Sequence, residues 1–249
     1  MVVAGKIFRL TQPMPLANIA QNLNGYYVEE DYEEGDYKFK LITEVVGVDS
    51  KRGMVNGTYS SDTILHVFHR GTSAPLPKTV EGMFSFARVR DITFLTVLEK
   101  KRTANFIANK LSDVLVEKTG VVVEARITPE TLKAFHDKNP EETKIIFFDN
   151  VDIPTVEKLS LYGPDLNSTS LFGDYLKHGN LWYVVGRSKD TGYVVGITRD
   201  ASVTIFNLAD KVKYVEYIAK EIYPIILGLI DDIFRFITSG SIAVSHQLW

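Results

Sequence analysis

Three consecutive cations, Lys100, Lys101 and Arg102, stand directly ahead of Thr103 in the stretch EKKRTANFIANK. Thr103 reads as the N-cap of a helix, so the cations crowd an end whose dipole favours anions by roughly 0.3–1 kcal/mol. Helix stability is a poor reason for that placement. A helix N-terminus beside clustered cations suits a phosphate, and a solvated strand-to-helix corner is the plainer alternative. Just upstream, MFSFARVRDITFLTVL alternates as a strand, which puts Phe84, Phe86, Arg88 and Arg90 on one face. Aromatics beside arginines on an open sheet can stack bases and hold phosphates. Buried phenylalanines, with the arginines emerging at a strand end, are the alternative. With Lys110, the residues Arg88, Arg90, Lys100, Lys101 and Arg102 form a candidate patch for DNA or RNA.

The stretch YYVEEDYEEGDYKF carries six acids between Glu29 and Asp36, interleaved with tyrosines. Charge so dense stays in water. It reads as a solvated hairpin tip, or as a docking surface for a protein partner through Tyr32, Glu33 and Glu34. Phe234 and Trp249, near the end of the chain, are further candidates for partner contact. Asp149, Asp152, Glu157 and Asp165 could supply a Mg²⁺ pair for phosphodiester hydrolysis, but they sit in turn-like sequence at no metal-ligand spacing. His66 and His69, three apart in a strand, point to opposite faces. No zinc-protease, Walker, nucleophile-elbow or dinucleotide fingerprint occurs. The reading is of a chain without catalytic residues, metal or cofactor.

These residues need a scaffold, and the sequence describes one through a repeated phrase. VVGVDSKRGMVNG, from Val45 to Gly57, aligns without a gap with VVGRSKDTGYVVG, from Val184 to Gly196, and six of thirteen positions are identical. Each copy reads as a hairpin with a polar turn and a late glycine. A third strand is expected after each, TILHVFH and ASVTIFN. Short helices precede the hairpins: PLANIAQNLNG, ending at Gly25, and TPETLKAFHDKNP, capped by Thr128. Long helices follow: TANFIANKLSDVLVEKTG, and a second running from Asp210 to about Gly240 that Pro224 should kink or split. The fold class is α+β, two repeated units of helix, antiparallel sheet and long helix, spanning residues 1–120 and 121–249. With each sheet covered on one face, paired units should offer one broad free surface.

Composition sets the outer limits. The chain has 249 residues, 45% hydrophobic and 24% charged, with a net charge of −3, so any nucleic-acid contact must be a local patch. It contains no cysteine, which excludes disulfides, thiolate metal sites and cysteine nucleophiles. Glutamine occurs only at positions 12, 21 and 247, and scarcity of both residues fits a thermophile. Lys6 and Arg9 interrupt what could have been a signal-peptide core. The apolar run YPIILGLI is far short of the roughly 20 residues of a membrane span. A cytoplasmic location follows.

The element order resembles the saddle of TATA-binding-protein-like domains, in order only and with no DNA-reading residue carried over. GMFSFARV is similar to the strand signature of RNA-recognition motifs, although the surrounding order departs from that family. The hairpin phrases, LEKKRTANFIANKLSDVL and IPTVEKLSLYGPDL together resemble the accessory subunits that pair with short prokaryotic Argonautes in antiviral defence. That resemblance implies a stable hetero-oligomer, a bound guide or target strand, and no nuclease chemistry in this chain. The expected function is a non-catalytic interaction module with a nucleic-acid-facing surface. A metal-dependent hydrolase and a protein-only scaffold are the alternatives.

Overall fold

The computed structural model describes residues 2–116, 120–138, 142–164, 166 and 169–228. The first part runs β1 (Val3–Leu10), α1 (Leu16–Leu23), β2 (Tyr27–Glu34), β3 (Tyr37–Lys51), β4 (Met54–His69), β5 (Thr72–Val89), β6 (Ile92–Val97) and α2 (Lys101–Val116). The second runs β7 (Val122–Glu124), α3 (Pro129–Lys138), β8 (Thr143–Asp149), β9 (Leu159–Tyr162), α4 (Ser170–His178), β10 (Asn180–Arg187), β11 (Val194–Thr198) and β12 (Ser202–Ile205). It closes with α5 (Lys211–Tyr217), a π-helical turn (Ile218–Ile222) and α6 (Tyr223–Ile226). All these strands join one antiparallel sheet in the order β2-β3-β4-β5-β6-β1-β12-β11-β10-β8-β9, with β7 paired to the end of β1. The class is α+β, with the sheet as its larger part.

The central strand β1 decides where the helices go. Its residues alternate between faces, and both faces are apolar. Val3 and Ile7 join one buried cluster, and Phe8 and Leu10 join another. On the Phe8 face, α1 and α2 bury Ile19, Leu23, Ala104, Ile107 and Leu111 against Phe84, Phe86, Leu95 and Val97. On the Ile7 face, α3, α4 and the α5–α6 segment bury Leu132, Phe135, Phe172, Tyr214 and Tyr223 against strands β6, β8, β10, β11 and β12. Tyr223 stacks on Phe94 at 4.4 Å, and its hydroxyl shares a 2.8 Å hydrogen bond with that of Thr96. The two helical layers therefore lie on opposite faces, which corrects the expectation of one broad free surface. On the Ile7 face, α5 reaches the near ends of β4 and β5, where Met54, Met83 and Ala87 join that cluster and Arg52 pairs with Glu216. On the Phe8 face, no described helix covers strands β8–β12, and among the described residues that face is bare.

Both repeated phrases form hairpins, but their registers differ. In the first, Lys51 pairs with Met54 across Arg52 and Gly53, both with positive φ (55° and 72°), the geometry of a two-residue type I′ turn. In the second, Arg187 pairs with Val194 across a six-residue loop in which Gly192 has φ 71°. As a result, the aligned Val45 and Val184 are both buried but in different clusters, facing opposite sides of the sheet. TILHVFH is not a separate strand, because β4 runs unbroken from Met54 to His69, whereas ASVTIFN does contain the separate strand β12. MFSFARVRDITFLTVL is likewise two strands, since Arg90 adopts φ 53° and turns β5 into β6. Strands β1, β7, β8 and β9 were not expected from the residue pattern.

The helix ends follow local chemistry. Thr128 accepts a hydrogen bond from the Thr131 amide at 3.2 Å, as an N-cap should. Asp210 caps α5 through the amides of Val212 and Lys213 at 2.9 and 3.2 Å. The break expected at Pro224 takes the form of the π turn. Pro224 has no amide hydrogen to donate, and the Tyr223 amide donates five residues back to the Ile218 carbonyl. Phe234 and Trp249 lie outside the described residues.

Candidate nucleic-acid interface

The structure separates the residues of the basic segment. Phe84 and Phe86 are 1% and 0% exposed, packed edge to face at 5.7 Å under α2. They are core, which is one of the two roles that their place in the strand allowed, and they offer no stacking surface. Arg88 is exposed, donating to the Arg90 carbonyl at 3.1 Å and lying 3.5 Å from Asp91. Arg90 sits in the turn, off the strand's alternation. The arginines and the Lys100–Arg102 group occupy opposite ends of β6, roughly 20 Å apart at about 3.3 Å per strand residue. Lys110 is exposed midway along α2.

The corner at the start of α2 is more organised than its sequence suggests. The helix begins at Lys101, and the Ala104 amide donates to the Lys100 carbonyl at 2.9 Å, which corrects the placement of Thr103 as N-cap. Lys101 pairs with Asp200, in the β11–β12 turn. The carboxylate beside the first turn offsets the cations there. Asp200 also receives Thr198 and Ser202, and lies 3.7 Å from the ammonium of Lys6. Burial pushes the Asp200 carboxyl up. The hydrogen bonds from Lys101, Thr198 and Ser202 and the charge of Lys6 outweigh it and hold the group well below the usual carboxylate range. Lys6 is itself fully buried on β1 and donates to Glu124 at 2.5 Å. Lys100 and Arg102 are exposed and form no ion pair among the described residues.

This corner borders the bare Phe8-side face of strands β8–β12. Tyr183 pairs with Thr198, two residues before Asp200. The bare face carries an aromatic stripe. Phe147 lies 5.7 Å from Tyr162, 5.5 Å from Trp182 and 5.4 Å from Tyr183, all between ring centroids. A register shift between Leu181 and Tyr183 brings Trp182 and Tyr183 to the same side. Lys158 stands 5.8 Å over the Trp182 ring. Gly196 extends the stripe, because a Cβ there would lie 2.6 Å from the Tyr183 hydroxyl oxygen and 3.1 Å from Phe206. Tyr162 is 65% and Phe206 40% exposed. On the opposite face, β4 presents half-buried Asn56, Thr58 and Ser60, the first two beside Val212 and Val215 of α5.

The remaining candidates have local partners. Asp149 pairs with Arg199, and Asp152 lies 2.8 Å from His178. Glu157 is exposed, and Asp165 lies outside the described residues. Among the described residues, no group of three or more His, Asp or Glu is placed to hold a metal ion. The acidic stretch is the β2–β3 hairpin at the sheet's edge. Its acids pair across to lysines, Glu33 with Lys38 at 2.8 Å and Glu29 with Lys40. Tyr32 bonds Glu34, which also meets His66 at 2.9 Å. A charged edge strand resists edge-to-edge pairing, so local chemistry accounts for much of this acidity.

The aromatic stripe and Lys6 escaped the sequence reading. LWYVV held a signal for the first, since two consecutive large aromatics in an alternating strand call for a bulge. A lysine inside VAGKIFRL held a signal for the second. No family model matches the chain, and no curated protein matches it. No helix among the described residues is long and apolar enough to cross a membrane.

Proposed function

We propose that the chain is a non-catalytic interaction module that presents a nucleic-acid-facing surface within a larger complex. The observation that carries this reading is the pair Lys100 and Arg102, exposed and without an ion pair among the described residues, flanking Lys101, which pairs with Asp200 at the end of a sheet face that no described helix covers. The reading includes descent of both halves from one unit, supported by the strand and helix that open each half and the helix that follows its last strand, although α4 interrupts the strands of the second half. It also includes a protein partner, as the likeness to Argonaute accessory subunits implies. The β4–β5 ribbon supports a protein partner, since its tip leaves Phe68 73%, Leu65 50% and Leu76 47% exposed.

The test is binding of labelled oligonucleotides by the full chain across a salt series. Affinity should fall with a log–log slope of about 0.7–0.9 per phosphate contact. Lys100→Ser with Arg102→Ser should weaken all sequences alike and lower that slope, because phosphate contacts carry no sequence information. Binding that ignores salt or the double substitution refutes the reading. The same preparations should not cleave DNA or RNA with Mg²⁺ or Mn²⁺. Turnover abolished by Asp149→Ala or Asp152→Ala would establish the hydrolase instead.

A further inference from the structure

We infer that the aromatic stripe on the bare face of strands β8–β12 is a stacking platform for the unpaired bases of a single-stranded nucleic acid. The inference rests on the proposed function and assigns the base contacts to residues distinct from the α2 corner. Tyr162, Phe147, Trp182 and Tyr183 come from β9, β8 and β10, and Phe206 directly follows β12. Across those strands the stripe spans about 19 Å, taking roughly 4.8 Å per strand, which is long enough for several successive bases. Its rings lie 5.4 to 5.9 Å apart where they touch, and Trp182 and Tyr183 are tilted by only 35°. Gly196 removes the one side chain that would stand up between Tyr183 and Phe206.

Charge argues for nucleic acid over an apolar protein segment. Lys158 sits over the Trp182 ring, and Lys101, between Lys100 and Arg102 in the chain, pairs with Asp200, two residues from the strand partner of Tyr183. Aromatic faces flanked by cations fit a polyanion whose bases are splayed out. On the Ile7 face of the other wing, Asn56, Thr58 and Ser60 of β4 are half-buried and polar, and Asn56 and Thr58 line a pocket with Val212 and Val215 of α5.

The experiment uses the full chain with Trp249→Phe, which leaves Trp182 as its single tryptophan. Oligo-dT and oligo-rU of about 15 nucleotides are titrated alongside a duplex of the same length. Saturable quenching of Trp182 by the single strands is expected, without quenching by the duplex. Tyr162→Ala and Phe206→Ala should each weaken single-strand affinity by about 5- to 150-fold, the equivalent of about 1–3 kcal/mol per stacked base. Neither should change the salt slope. If both variants bind like the parent while Lys100→Ser with Arg102→Ser still weakens binding, the platform is wrong and the phosphate corner stands. If no form binds an oligonucleotide, both fail. If these two variants instead abolish self-association or retention of a protein partner, the stripe is a protein interface and the inference is overturned.

Discussion

Gly57 and Gly196 occupy the same place in the two repeated phrases, yet alanine should affect them very differently. At Gly57 a Cβ would lie 2.6 Å from Phe84 Cζ and 3.1 Å from its Cε1. Phe84 is 1% exposed beneath α2, so the ring has nowhere to go. Overpacking of this kind costs about 1–3 kcal/mol, and replacing glycine returns about 0.4–1 kcal/mol by restricting the unfolded chain. The expected net loss is about 0–2.6 kcal/mol, centred near 1.3 kcal/mol. At Gly196 the Cβ would meet the hydroxyl end of Tyr183 at 2.6 Å and the edge of Phe206 at 3.1 Å. Both rings lie on a bare face and can swing outward for roughly 0.5–1.5 kcal/mol of rotamer adjustment. That cost nearly cancels the unfolded-state gain. Neither glycine has a positive φ, so backbone strain does not enter the comparison.

Urea unfolding reads the difference. Gly57→Ala should lower the midpoint with an unchanged slope, while Gly196→Ala should leave it nearly in place. The melting temperatures should differ by about 2–4 °C per kcal/mol for a chain of this size. If Gly196→Ala costs as much as Gly57→Ala, the rings over Gly196 are as confined as Phe84. The bare face, and the platform built on it, would then be mistaken.

Phe84→Ala and Phe86→Ala should each cost about 3–5 kcal/mol of stability, and urea midpoints check this; an unchanged midpoint would return these rings to a binding role. Asp200, whose carboxyl is held low in the folded chain, should stabilise the fold fully above its unfolded value of about 3.9. That contribution is lost as pH falls through the lower folded value, so the midpoint of Asp200→Asn should vary less than that of the parent below about pH 4. Burial lowers the pKa of His136, whose ring lies 2.9 Å from the Thr143 hydroxyl. The unfolded chain therefore takes up a proton near pH 6.5 that the folded chain resists, and stability should fall as pH drops below about 6.5. His136→Gln should flatten that part of the profile, as melting temperatures between pH 8 and 5 would show.

Much of the layout was legible in residue order. Helix caps and stops are short-range chemistry, so Thr128 and the glycine after α1 marked their helices correctly. Hairpins needed only alternating apolar residues around a glycine turn, and both repeated phrases form them. Cysteine content excluded whole classes of site without any structure. Other features depended on partners distant in sequence. The alternation of Phe84, Phe86 and Arg88 says that they share a strand, but not that α2 folds over them. Asp200 is 99 residues from Lys101, and only the pairing of β12 with β1 brings the two together. The apolar residues of β1 occur at both odd and even positions, and this is why the helices divide between opposite faces. That division leaves Phe147, Tyr162, Trp182 and Tyr183 on a surface that no described helix covers. The sequence supplied these aromatics, but their exposure depends on which face the distant helices cover.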